Sequence, residues 1–317
     1  MVRQRAIFGE VAAALLVCLM AGWFAWNGRI ENLRSSRALA GILRRFESRE
    51  QLVSTRMQQL PSVYLWAWER SEDLRFLGGK SVGVAFLAKT LFLRNRVEVI
   101  GSDVASGVEV RPRMQPLRVA PGMPLMAVVR IETPQGAVSA SYQDSLRGSQ
   151  VFSQKQMARV AEEIADAARL PGVNALQIDF DATMSEHAIY RALLVETRER
   201  IPANMPLSVT ALASWCIGDR WLEQLPPGTI GEAVPMLFRM GSGSAEVVNF
   251  VRSGHEFPVA VCKNSIGIST DEAFSHAIFS GKLRVARDSR APRRIYLFSP
   301  HGWEPKRTTA LLQEIGQ

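Results

Sequence analysis

From Ser62 onward, short apolar runs alternate with stretches whose apolar residues recur at helical spacing. Parallel strands need a crossover between them, usually a helix, so this alternation predicts a parallel α/β architecture. The runs are Val63–Trp68, Val82–Ala88, Leu125–Glu132, Ala175–Asp181, Leu207–Ala213, Ala233–Phe238, Pro258–Lys263 and Ile295–Ser299. Eight such strands close into a barrel, so residues 61–317 are expected to form a (β/α)8, TIM-like barrel. An open, doubly wound sheet is the alternative. No G-x-G-x-x-G follows an early strand, and no Walker-type loop occurs.

The later helices carry start and stop signals. Ser153 and Gln156 make a capping box ahead of Met157–Leu170, which stops at Pro171-Gly172. Ser185 opens a helix through Arg200, ending before Pro202, and residues 219–225, 244–253, 270–280 and 305–315 supply the rest. Gly254 and Gly281 stand at C-cap positions. The first half is irregular. Only a short helix near Ser71–Leu77 fits between strands one and two, and Thr90–Met123 reads as a β-hairpin insertion built on Val97–Ile100 and Val108–Val110.

Strand residues alternate between faces, which sorts the chemistry. In strand four, Leu176, Ile178 and Phe180 form the apolar set, so Gln177, Asp179 and Asp181 face the barrel interior. Strand five leaves Ser208 and Thr210 inside; strand three groups Met126, Val128, Arg130 and Glu132; strand one groups Tyr64, Trp66 and Trp68. A buried carboxylate needs a partner or a purpose. Asp179 fits a structural ion pair with Arg130, and Asp181 fits a capping role at the strand end. Both also fit an acid pair at the C-terminal mouth, where this fold carries its active sites. Acids, an arginine, hydroxyls and indoles together suit a carbohydrate site. Arg239 ends strand six and Lys263 ends strand seven in this reading, where either binds an anionic group or neutralises the aspartates. Trp215 and Trp303 follow strands five and eight and are expected to line the same mouth.

The N-terminus changes the picture. Arg3 and Arg5 precede an apolar run from Val11 to Trp26. Residues 1–28 therefore read as an uncleaved membrane anchor or a cleaved signal peptide. Either puts the remainder outside the cytoplasm, tethered or secreted. Residues 29–60 read as an amphipathic stalk, with Leu39, Leu43, Phe46, Val53, Met57 and Leu60 near helical spacing. The net charge of +8 is spread over scattered arginines without a nucleic-acid-binding motif, so no nucleic-acid partner is expected. Cys216 and Cys262 fall on separate predicted elements, which favours free buried thiols, and no Cys/His spacing points to a metal or cofactor.

Three segments, Val63-Tyr-Leu-Trp-Ala-Trp68, Asn174-Ala-Leu-Gln-Ile-Asp-Phe-Asp181 and Leu207-Ser-Val-Thr-Ala-Leu-Ala-Ser-Trp215, resemble the bacterial family catalogued as domain of unknown function 3142. That family is grouped with TIM-barrel glycoside hydrolases, which implies the barrel and, for a tethered bacterial protein, a periplasmic location. Strand four also resembles the family 18 chitinase-like motif. Asn174, Gln177, Asp179 and Asp181 stand at the spacing of its four acids, with amides at the first two and aspartate for the terminal glutamate. The resemblance implies Asp181 as general acid, with Asp179 as its orienting partner. By their places at the barrel mouth, Trp66, Trp68, Trp215, Trp303, Gln177, Thr210, Arg239 and Lys263 are the expected glycan contacts. Lys263-Asn264 stands where commoner barrel hydrolases carry a second carboxylate, leaving Glu69 and Glu304 as candidate partner acids. The competing reading is a non-catalytic carbohydrate-binding or envelope-assembly protein.

Overall fold

The computed structural model describes residues 51–93, 107–133, 153–287 and 293–316. The predicted anchor and most of the predicted stalk lie outside them. Eleven strands follow in order: β1 (Val63–Ala67), β2 (Glu72–Asp73), β3 (Val82–Leu93), β4 (Val108–Pro112), β5 (Leu117–Arg118), β6 (Leu125–Glu132), β7 (Val173–Asp179), β8 (Leu207–Leu212), β9 (Glu232–Met236), β10 (Ser265–Ser269) and β11 (Arg294–Phe298). Eight of them, β1, β3 and β6 to β11, pair in parallel, and β1 bonds to both β11 and β3, closing a barrel. Helices α1 (Gln154–Ala167), α2 (His187–Arg200), α3 (Ser244–Arg252), α4 (Ala273–Phe279) and α5 (Pro305–Glu314) serve the later strands. The capping box at Ser153 and Gln156 opens α1, and Gly254 and Gly281 take left-handed conformations after α3 and α4.

The irregular first half has a specific form. β3 runs on to Leu93, and β4 folds back antiparallel against Lys89–Leu93. The hairpin thus uses the end of a barrel strand; Val97–Ile100 lies outside the described residues. Between β1 and β3 there is a single 3-10 turn, Arg75–Leu77, and β2 pairs with β5.

Strand seven corrects the sequence reading. Pro258–Lys263 does not form it; Ala260–Cys262 is a 3-10 turn, and the strand is Ser265–Ser269. Pro258 offers no N–H for a ladder. The true strand alternates Ser265, Gly267 and Ser269 with Ile266 and Ile268, a two-residue period carrying little hydrophobic weight. The same shift corrects the cysteines: Cys262 is off the barrel wall and is joined to Cys216 by a disulfide.

Two apolar layers result. Outward residues such as Leu176, Ile178, Val209 and Ile268 form the main core beneath the helices. Inside the barrel, Tyr64, Trp66, Ala85, Met126, Val128, Ala175, Val234 and Tyr296 form a second cluster. Two glycines admit its largest rings. A Cβ at Gly83 would stand 2.3 Å from the Tyr64 ring, and one at Gly267 would stand 2.7 Å from the Trp66 indole.

The N-terminal end of the barrel is closed from below. Residues 51–58 are helical, and Val53 and Met57 are buried against Gly231. Arg294 donates to the carbonyls of Met57 at 2.5 Å and Pro61 at 2.9 Å, and pairs with Glu232 at 2.6 Å. Tyr296 donates to the other Glu232 oxygen. The floor is therefore a buried ion pair whose remaining donors are taken by the incoming chain.

Candidate active site

The strand ladder sets the site. β6 and β7 pair Val128 with Gln177 and Arg130 with Asp179; β7 and β8 pair Gln177 with Ser208. Inward side chains of these three strands therefore stack in layers. In the lower layer, the Trp66 indole N–H donates to Gln177 Oε1 at 2.7 Å, and the Gln177 amide donates to Ser208 Oγ at 3.1 Å. That network is dry and satisfied, with Gln177 and Ser208 both 0% exposed. One layer up, Thr210 Oγ1 donates to Asp179 Oδ1 at 2.8 Å. Asp181, two residues beyond, reaches solvent at the rim.

Above these layers lies an open cavity of about 540 Å³. Asp179, Asp181, Arg130 and Thr210 line one side of it. Trp66 and Trp68 lie at its base and edge, and Arg239 reaches it from the loop after β9. The C-terminal ends of the barrel strands thus hold both aspartates in one cleft.

Burial raises the Asp179 carboxyl to about 6, with a further push from the negative charge of Asp181. Arg130 and the Thr210 hydroxyl oppose this and are outweighed. Arg130 is a poor counter-ion for Asp179: it stands 3.9 Å from that carboxylate but 2.9 Å from Glu132, and its guanidinium lies 5.8 Å from the Trp68 ring centre. The surrounding protein also raises the Asp181 carboxyl above its ordinary value, against the pull of Arg130. Both shifts favour the protonated carboxyl at pH values where an exposed aspartate is ionised.

Several predicted site residues fall elsewhere. Gln177 sits beneath the cavity and braces Trp66. After β8 the chain coils into Trp215–Asp219, and Trp215 is buried outside the barrel, edge-on to His187 and Trp221. Lys263 precedes β10, at the N-terminal end of that strand, and pairs with Glu256 at 3.5 Å. Trp303 is buried and donates its indole N–H to the Trp66 carbonyl at 2.9 Å. It lines a second, more open pocket of about 740 Å³ with Glu72, His301 and Glu304. Asn174 is exposed at the start of β7. Arg239 lines the cavity, but its guanidinium is held by Asp271 at 2.8 Å.

The two candidate partner acids are also engaged away from the cavity. Glu69 accepts the Met114 amide at 3.0 Å, and Glu304 caps α5. With strand seven corrected, the residues after it are Asp271 and Glu272, both turned to Arg239. Sequence reasoning missed the apolar wall of the cavity: Leu212, Met236, Phe238, Met240, Val247 and Phe298. Strand parity signals part of it, since Met236 shares a face with Val234, and Phe298 with Tyr296. None of these side chains carries chemistry that would single it out.

Among the described residues no group of three or more His, Cys, Asp or Glu is placed to hold a metal ion. Nor does any described helix have the length and apolarity to cross a membrane. Comparison with known proteins adds one finding. Residues 121–225, from the loop before β6 to the turn after β8, match the model of the family described as domain of unknown function (DUF3142). The matched stretch contains Arg130, Asp179, Asp181 and Thr210. No curated protein and no solved structure matches the chain.

Proposed function

We propose that this chain is a glycoside-hydrolase-like enzyme acting on a glycan outside the cytoplasm, on a TIM-like barrel. One observation carries the reading: Asp179 and Asp181 share an open cleft at the C-terminal mouth of a closed parallel barrel, and both carboxyls are raised. Asp181, at the rim, is the general acid that protonates the leaving glycosidic oxygen. Asp179 lies deeper, accepts the Thr210 hydrogen bond and orients Asp181; the charge of Asp181 in turn disfavours ionisation of Asp179. Trp68 and Arg130 hold the sugar beside them. The location rests on the apolar run at Val11–Trp26 and on the Cys216–Cys262 disulfide, a bond that persists mainly in oxidising compartments.

Full-length protein incubated with a panel of polysaccharides and glycoconjugates should release new reducing ends. Asp181→Asn should lower kcat by about a hundredfold or more, the usual scale for a lost general acid. Turnover unchanged in that variant sinks the assignment of Asp181.

A second reading rests on a separate observation. Among the described residues lining the cavity, both carboxylates come from β7 and its end, and none faces them from across the cleft. A barrel that binds a glycan without cleaving it, as an envelope-assembly component, fits that arrangement. Saturable binding with no product from the wild type would favour it.

A further inference from the structure

The cavity is two-sided. Its polar groups, Arg130, Asp179, Asp181 and Thr210, come from β6 to β8 and the residue positions just past them. The opposite wall comes from β9, β11 and the start of α3: Met236, Phe238, Met240, Val247 and Phe298. Among the described residues the only charged group there is Arg239, held by Asp271 and Glu272. Met236, Phe238, Met240 and Phe298 are half-buried, so part of each faces solvent.

This wall is not a sugar platform. Phe238 and Phe298 stack on one another at 5.3 Å with rings nearly parallel, so each has a face already covered. Trp66 is 3% exposed and stacks on Tyr296 at 5.2 Å. Thioether and aliphatic side chains offer a sugar hydroxyl no hydrogen bond. They suit a flexible hydrocarbon chain, which methionine accommodates by changing rotamer.

We propose, on the basis of the functional reading above, that the substrate is an amphiphile. Its neutral glycosyl head lies against Asp179 and Asp181, and its alkyl or acyl chain lies along the Met236–Phe238–Met240–Phe298 wall. A neutral head is specified because Arg130 and Arg239 are already engaged by Glu132 and Asp271, which leaves an anion facing two carboxylates.

The test uses the full chain held in lipid nanodiscs, titrated calorimetrically with butyl, hexyl and octyl glucosides below their micelle concentrations. Affinity should rise about fourfold for each methylene that enters the wall. Met240→Asp, on the wall of the cavity, should flatten that dependence, with octyl glucoside losing more affinity than butyl glucoside. Equal affinity across the series, or a dependence that Met240→Asp leaves intact, overturns the proposal; the latter would show partition into the nanodisc. Octanoate binding as tightly as octyl glucoside would overturn the glycosyl head. Asp181→Asn separates the two readings. Chain-length dependence kept in that variant, with no turnover by the wild type, removes the hydrolase and leaves the amphiphile site standing.

Discussion

At the residue scale, Asp179 is held against its own stability. Its folded carboxyl titrates near 6, above the ordinary 3.8 of an exposed aspartate. Between those values the folded protein binds more protons than the unfolded chain, so stability falls as pH rises through the window. Above about pH 6 the full penalty is present, on the order of 3 kcal/mol from a shift of about two pKa units before relaxation and solvent screening reduce it. Asp179→Asn should therefore raise stability at pH 7 by roughly 1–2 kcal/mol, with the gain vanishing below about pH 4. Denaturant melts of the two proteins across that range check this; a gain that persists at low pH would show that burial charge is not the cause. The same variant should lose activity if the acid pair works. That both aspartates point inward was legible from parity alone. That Arg130 prefers Glu132 was not, because ladder pairing places residues but leaves a long side chain free to choose between neighbours.

At the element scale, barrel closure depends on small inward residues opposite large ones. Gly267 faces Trp66, and a Cβ there meets the indole at 2.7 Å. Gly267→Ala should cost about 1–3 kcal/mol by overpacking, measured as a lower melting temperature. The same change should weaken ligand binding, since Trp66 floors the cleft. Strand boundaries were read well where weight and alternation agreed. β6 was placed to the residue, and β1, β7, β8, β9 and β11 to within two residues at each end. β10 was missed because a heavy apolar run beside Pro258 outweighed a light alternating one. Only the barrel interior explains why that strand is light: Gly267 must make room for an indole from β1.

At the scale of the whole molecule, two long-range links hold the described fold. Arg294 ties the floor to residues 57–61 and neutralises Glu232. A chain beginning at Pro61 loses the Met57 and Leu60 carbonyls and the buried Val53 and Met57 side chains. It should melt well below one beginning at Glu50, by several kcal/mol of stability, since two large apolar side chains leave the core. Equal melting temperatures would show that the floor closes without this segment. The second link is Cys216–Cys262, 46 residues apart in sequence. Loop-closure entropy assigns such a bridge about 4 kcal/mol at most. Cys262→Ser should cost about 2–4 kcal/mol, and reductant should lower the melting temperature of the wild type but not of the variant.

By itself, the sequence determined the barrel, its irregular first half, the inward column Gln177–Asp179–Asp181 and the facing Thr210. These follow from local periodicity, which backbone geometry translates directly into faces and elements. Only the tertiary structure decided which side chains share one cleft. Trp215, Trp303 and Lys263 stand at plausible positions in sequence, but the path of each loop turns them away. Met240 and Phe298, far apart in sequence and chemically silent, line the same wall of the cavity. The disulfide and the floor clamp belong to the same class. Each joins distant segments, and no local pattern encodes a distance that only the closed barrel sets.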